Sequence, residues 1–408
     1  MELFFCLFIF FFFSPSGNLY GADGGRMPAN LGTYDVKKFG AVGDGRTDDT
    51  KAFMRAWEAA CGSSDVVKLV IPVGIYFVGP LKFDGPCTNS GTLTVEIQGT
   101  LKATTDLSKY TTPHWVQFGS VKRLNLIGGT FDGQGAASWP LSTCPKEKNC
   151  KVLPTNILFM NTVDTVVTGI TSVNSKFFHI GILGCANFKS DNIKISAPED
   201  SPNTDGIHVE RSSNVALSHL SIGTGDDCVS IGPGNSNVTL TNIRCGPGHG
   251  ISVGSLGKYE GEGDVTGILI RDSTITSTTN GVRIKTWQNS PSPSMVSNVT
   301  FDNIIMNNVA NPIIIDQEYC PYSKCDSSGP SRVRLSDITF KNIRGTSVSS
   351  DAVTLHCSPK TPCTNVVLED VNLKYYTGEV SDGHMILTSS CLNVKPTFRR
   401  THEPPPCK

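Results

Sequence analysis

Residues 214–220 read NVALSHL, residues 237–243 read NVTLTNI and residues 298–304 read NVTFDNI. Each phrase opens on asparagine and then alternates apolar with polar side chains, many of them β-branched, as a strand with one buried face requires. Working outward, the same phrase recurs as RLNLIGG from Arg123, NIKISAP from Asn192, GILIRDS from Gly267, RVRLSDI from Arg332 and NVVLEDV from Asn365, with DTVVTGI from Asp164 a looser member. From Asn192 onward the starts are 22, 23, 30, 31, 34 and 33 residues apart, and Gly, Asn, Ser and Pro punctuate the gaps. Repeats of about 20–35 residues made of short strands and turns, with no helices between them, imply a solenoid whose coils bury one another's inward side chains. The expected fold is all-β, a single-domain right-handed parallel β-helix. A leucine-rich repeat fits less well, because its L-x-x-L-x-L-x-x-N phrase is absent.

One segment has helical spacing. Ala52, Phe53, Ala56, Trp57 and Ala60 recur on one face up to Cys61, after Thr47, Asp48 and Asp49, which offer capping side chains. The open end of a solenoid exposes unpaired strand groups, so this short helix is expected to cap the N-terminal end. The composition agrees with a turn-rich β chain: 40 of 408 residues are Gly and only 17% are charged, against about 25% in average proteins. With 35 basic and 36 acidic side chains the net charge is −1. That balance excludes a general attraction for nucleic acid or anionic membrane, so an anionic ligand needs a local cationic cluster.

The first residues contain an apolar run of eleven, Leu3 to Phe13, too short for a bilayer and suited to the h-region of a secretory signal. Residues 1–22 are read as that signal, with Gly21 and Ala22 near the cut, and residues 23–408 as the parallel β-helix domain. Cysteine usage agrees with export. Setting Cys6 aside, twelve cysteines fall into neighbouring couples: Cys61 with Cys87, Cys144 with Cys150, Cys228 with Cys245, Cys320 with Cys325, Cys357 with Cys363, and Cys391 with Cys407. Cys185 is left as a buried free thiol. No C-x₂-C pair favours zinc.

In a stacked solenoid, residues one coil apart lie about 4.8 Å from each other, so sequence spacing becomes a map of a surface. Asn203-Thr204-Asp205 is followed 21 residues later by Asp226-Asp227, and His249 comes 22 residues after Asp227. A further, longer coil brings Arg283 and Lys285, which alternation sends to one face. Three carboxylates, an imidazole and two cations should therefore share a patch. Those parts suit hydrolysis of a glycosidic bond between acidic sugars: one carboxyl protonates the leaving oxygen, another activates water, and the cations bind a sugar carboxylate. Adjacent Asp226 and Asp227 cannot both face a cleft from a regular strand, so a bend is expected there, fixed by the Cys228–Cys245 bridge. Taken singly, each motif has an ordinary reading: NTDG as an Asx turn, GDD as a solvated turn, His249 as structural, RIK as an edge-strand face. GPGHG lacks the strand–helix context of a dinucleotide loop. A metal site from Asp205, Asp226, Asp227 and His249 stays open, with the adjacent cations against it.

NTDGIHVE (203–210), GTGDDCVSIG (223–232), GPGHGISVGSLG (246–257) and VRIKTW (282–287), in this order, closely resemble the four signature segments of the polygalacturonases, glycoside hydrolase family 28. YDVKKFGAVGDGRTDDTKAF (34–53) resembles their N-terminal phrase. The resemblance implies a parallel β-helix hydrolysing α-1,4 bonds of polygalacturonate with inversion and without cofactor or metal. It further implies Asp226 as general acid, Asp205 and Asp227 as the groups that position and deprotonate water, and His249 as keeper of the acid's proton. Arg283, Lys285, Asn203 and Tyr319 (in DQEYC) would bind substrate. The wording of residues 283–325 resembles the plant pollen-type branch, to which exo-cleavage is assigned. The expectation is a secreted, monomeric cell-wall enzyme with pectin as its partner. Endo-cleavage, a calcium-dependent pectate lyase and a silent pectin-binding wall protein are the alternatives. Neighbouring carboxylates about 5 Å apart point by the general glycosidase rule to retention, against the family's inversion. Asn237 and Asn298 head N-x-T sequences for glycosylation.

Overall fold

The computed structural model describes residues 31–89, 91–144, 147, 150–322, 325–376 and 386–407. The signal segment 1–22 and Cys6 lie outside them. Parallel pairing of each strand with its equivalent one coil on generates the architecture. One sheet runs through eleven strands in unbroken order, from Leu81–Asp84 to Thr388–Leu392, and carries Ile207–Glu210, Val229–Ile231, Ile251–Leu256 and Asn280–Trp287 side by side near its middle. The other faces are built from long strands such as Ser213–Gly223 and Ser236–Cys245. The chain is the parallel β-helix that the repeats predict.

Inward positions form rows along the axis. Val209, Ile231, Val253, Ile284, Ile315 and Leu355 are register partners in turn, and all are buried. Aromatic side chains stack likewise, Phe118 on Phe159 at 5.4 Å and Phe301 on Phe340 at 5.1 Å, while Phe159 meets Phe188 of another face edge-on at 5.0 Å. A row of this kind is a core one side chain wide, so each coil lends its neighbours the apolar surface it cannot bury alone.

The corners explain the asparagines. Asp164, Asn187, Asn214, Asn237, Asn298, Asp337 and Asn365 all have positive φ, as does Gly267 between Asn237 and Asn298, and they occupy one row of turns. Asn and Asp tolerate the left-handed region because their short polar side chains bond locally. Here the amides also bond along the axis, Asn187 donating to Asp164 (2.8 Å), Asn214 to Asn187 (3.0 Å) and Asn237 to Asn214 (3.2 Å). A second corner row holds Asn192, His219, Asn242, Asp272, Asn303, Asn342 and Asp370. Two of the sequence phrases are therefore out of register. NIKISAP starts at the second corner, its true counterpart starting at Asn187, and RVRLSDI starts five residues before Asp337. Most coils turn twice on asparagine-like residues, and sequence does not distinguish the two corners. Both glycosylation acceptors lie exposed in the first row.

The helix Thr50–Cys61 buries Ala52, Phe53, Ala56, Trp57 and Ala60, as its spacing predicts. Trp57 stacks on Phe83 at 4.8 Å, and its indole donates to the Asp84 carbonyl. The capping differs from expectation. Asp49 makes no side-chain cap; its carboxylate receives the Val42 and Gly43 amides of the preceding loop, while Asp48 takes the Thr50 amide (3.0 Å). All six cysteine couples are bonded as expected, and Cys185 is buried and free. Among the described residues no helix is long and apolar enough to cross a membrane.

Candidate active site

Four adjacent strands of the eleven-stranded sheet, and the turns leading into them, carry the polar motifs. Ile207 pairs with Val229 and Val229 with Ile251, which puts Asp205, Asp227 and His249 in one row just before the strands begin. Backbone bonds hold this register, the Gly206 amide donating to the Asp227 carbonyl and the Cys228 amide to the Gly250 carbonyl. Gly225 and Asp226 form a bend, so Asp226 and Asp227 point differently. Asp226 lines the cleft, whereas Asp227 is 1% exposed. The Cys228–Cys245 bridge sits directly after the bend.

The glycines around His249 serve the stacking of coils rather than only leaving the imidazole unhindered. Gly248 has φ +143°, and a Cβ there would lie 2.6 Å from the Asp226 carbonyl oxygen; Gly250 has φ +83°, with the Asn280 carbonyl 2.1 Å from its Cβ position.

Arg283 and Lys285 stand in a different row from His249. Ser252 pairs with Arg283, whereas His249 falls opposite Asn280. Their long side chains reach back, and both close on Asp227: Arg283 Nη2 donates to Oδ1 (2.9 Å) and Lys285 Nζ to Oδ2 (2.6 Å). Ser252 Oγ also donates to Oδ1 (2.9 Å), so both oxygens of Asp227 are occupied. Burial pushes the Asp227 carboxyl up, yet Lys285 and Arg283 outweigh it and hold the group below the ordinary aspartate range.

Asp205 is 6% exposed, and its carboxylate accepts a hydrogen bond from Ser230 Oγ at 2.7 Å. Burial first, then the Asp226 and Asp227 charges, raise its pKa well above that of a free aspartate. Ser230 Oγ also meets His208 Nδ1 (2.8 Å), and His208 Nε2 approaches Glu210 (3.4 Å), so a polar chain backs Asp205. His249 Nδ1 lies 2.9 Å from Asp226 Oδ1; that bond, against the opposing effect of burial, raises the imidazole pKa. Asn203 Nδ2 donates to Asp226 Oδ2 (3.3 Å), while its own buried Oδ1 has no partner among the described residues. The Tyr319 ring centroid is 5.1 Å from Lys285 Nζ and 5.8 Å from Arg283 Cζ.

Asn203, Asp226, His249, Arg283 and Tyr319 line a cleft of about 770 Å³, within the size range of ligand sites. Asp226, Asp227 and His249 each offer an atom within 4.8 Å of the others, the kind of cluster that can hold a cation. The donor set does not fit one, because the charge of Asp227 is already matched by a guanidinium and an ammonium. The arrangement suits acid–base chemistry: a cleft-facing carboxyl on an imidazole, beside one carboxylate clamped in its charged form and one held toward its neutral form.

Residues 61–399 match the family Glycosyl hydrolases family 28. The chain belongs to glycosyl hydrolase family 28. An exopolygalacturonase of Zea mays is 47% identical over 84% of this chain and 84% of its own length, and one of Platanus acerifolia is 46% identical over 90% and 95%. The solved exopolygalacturonase of Thermotoga maritima superposes with TM-score 0.69 at 19% identity, covering 90% of this chain and 93% of its own; at that identity it attests the fold. Membership makes the protein a glycoside hydrolase.

The family 28 motifs, read from sequence, name Asn203, Asp205, Asp226, Asp227, His249, Arg283, Lys285 and Tyr319, and the fold gathers all eight at one cleft. Sequence reasoning missed Ser230 and Ser252, whose hydroxyls hold the two buried carboxylates, together with His208, Lys258, Trp287 and Tyr322. The serines are register partners one coil apart, so the coil map could have found them.

Proposed function

We propose that this family 28 chain is an exopolygalacturonase, hydrolysing α-1,4 bonds of polygalacturonate with inversion and releasing galacturonate from chain ends. The observation that carries the reading is the division of labour among the three aspartates: Asp226 faces the cleft on His249, while Asp205 and Asp227 lie buried behind it in opposite electrostatic settings. Asp226 protonates the glycosidic oxygen as the C1–O bond breaks. Water attacks C1 from the other face and gives its proton to Asp227, which the cations keep ionised at acidic pH; Asp205, held toward its neutral form, positions the water. His249, whose pKa the Asp226 carboxylate raises, resupplies the acid's proton. Arg283 turns its remaining N–H groups to a sugar carboxylate, with Asn203 and Tyr319 lining the subsite, and Lys285 acts from behind through Asp227.

The clamp on Asp227 bears on stereochemistry. Acid and base oxygens fall within 4.8 Å, close to the spacing of retaining enzymes. A nucleophilic carboxylate must bring an oxygen onto the anomeric carbon, and Asp227 is buried with both oxygens bonded to Ser252, Arg283 and Lys285. The clamp thus supports water rather than Asp227 as the nucleophile, and with it inversion. Exo-action is supported by the exopolygalacturonases of Zea mays and Platanus acerifolia. Export to the cell wall is supported by the six disulfides, the chemistry of an oxidising compartment. The experiment is a time course of product lengths on polygalacturonate. Monomer alone from the first minutes supports exo-cleavage; mixed oligomers would make the enzyme endo-acting, and products absorbing in the ultraviolet would make it a lyase.

A further inference from the structure

The cations of the cleft are unequally committed. Arg283 and Lys285 are both ion-paired with Asp227. The remaining cationic side chain in the lining, Lys258, has no carboxylate partner among the described residues. Its ammonium instead lies over three rings, 5.1 Å from the Trp287 centroid, 5.3 Å from Tyr259 and 5.7 Å from Tyr322, and donates a hydrogen bond to Tyr322 Oη at 3.3 Å. Two acids follow closely in sequence, Glu260 and Glu262; neither is ion-paired with the ammonium among the described residues, and the Glu262 carboxylate takes the backbone amides of Gly257, Lys258 and Tyr259 at 2.6, 2.9 and 2.8 Å, so it shapes the loop. Ring faces orient a cation without neutralising it, and an ammonium has three donors, so Lys258 keeps both charge and N–H groups for a ligand. The same wall contains a second unmet group, since the indole N–H of Trp287, a residue 91% buried, has no acceptor among the described residues.

We propose that Lys258 is a specificity-determining residue that receives a uronate carboxylate of the substrate, at a subsite walled by Trp287, Tyr319 and Tyr322 and distinct from the carboxylate contact of Arg283. The proposal rests on the polygalacturonate reading above and deepens it. An anionic polymer entering this cleft meets two cations that share the Asp227 carboxylate and one, Lys258, that has no carboxylate partner among the described residues. That third cation distinguishes an acid sugar from its methyl ester.

The test compares wild type, Lys258→Met and Lys258→Arg on trigalacturonate and on its methyl ester. Lys258→Met keeps the stem over the rings and removes the charge. It is expected to raise KM for the acid about tenfold with kcat within about twofold, the signature of lost uniform binding. On the ester it should change kcat/KM by less than about twofold, and Lys258→Arg should recover most of the acid's KM. An unchanged KM on the acid, or equal losses on acid and ester, would overturn the proposal and leave Lys258 a structural prop. Should wild type cleave neither substrate, the functional reading fails, and calorimetric binding of trigalacturonate still decides the subsite: tighter binding by wild type than by Lys258→Met sustains it, and equal or absent binding by both overturns it.

Discussion

Ser230 and Ser252 occupy equivalent positions on neighbouring coils, yet their hydroxyls serve carboxylates of opposite character. Ser252 joins Arg283 and Lys285 on Asp227, and Ser230 is the one donor to the Asp205 carboxylate among the described residues. Removing Ser230 Oγ takes away a bond that lowers the pKa of Asp205, leaving burial and the neighbouring charges to raise it further. Because Asp205 acts in its neutral form, Ser230→Ala should move the alkaline limb of the kcat/KM–pH profile to higher pH, with the acidic limb, set by Asp227, unmoved. Asp226→Asn should lower kcat by about 10²–10⁴ while circular dichroism and melting stay as in wild type, since a general acid contributes about that much. A variant retaining full turnover would remove Asp226 from the chemistry. The aspartates, His249 and the two cations were legible in the sequence because coil spacing aligned unusual residue types. The serines were not, because serine at an outward strand position is commonplace and only the register gives it a role. Lys258 stayed hidden for another reason: its partners, Trp287 and Tyr322, lie 29 and 64 residues away on later coils.

At the scale of elements, the active site is set by what happens just before each short strand. The bend at Gly225–Asp226 separates the two aspartates, and the bridge Cys228–Cys245, closing a separation of 17 residues, joins that strand to the next face. A double Cys228→Ala, Cys245→Ala variant is expected to lose about 3 kcal/mol of stability, from loop entropy returned to the unfolded chain, and a larger share of kcat than a bridge distant from the cleft would cost. Denaturant unfolding and turnover measured on the same preparation check both. Ile284 lies inward in the row between Val253 and Ile315, with Arg283 and Lys285 on either side, so Ile284→Ala should cost about 2–5 kcal/mol and loosen the clamp on Asp227. The helix Thr50–Cys61 and the strands were legible from period alone. The corners were not, because most coils turn twice on Asn or Asp, and local sequence does not say which turn opens which face.

For the whole molecule, the buried ionisable groups fix how stability varies with pH. Asp227 is depressed, so its contribution is present above the ordinary aspartate value of about 3.9 and is lost as pH falls through its lower folded value. Asp205 and His249 are raised, so theirs are present below about 3.9 and about 6.5 respectively and are lost as pH rises through their folded values. Melting temperature should therefore peak in the mildly acidic range and decline toward alkaline pH, and His249→Ala should flatten part of that alkaline decline. A wild-type melting temperature still rising from neutral to alkaline pH would contradict the assigned directions. The solenoid itself was legible because every coil repeats one pattern; the handling of charge was not, because it depends on side chains of different lengths reaching back across coils. The claim on which the account depends is that water, activated beside a clamped Asp227, displaces a leaving group protonated by Asp226. Proton NMR of the first turnovers on oligogalacturonate tests it most directly: the account predicts β-galacturonate appearing before mutarotation, and initial release of the α-anomer would contradict it.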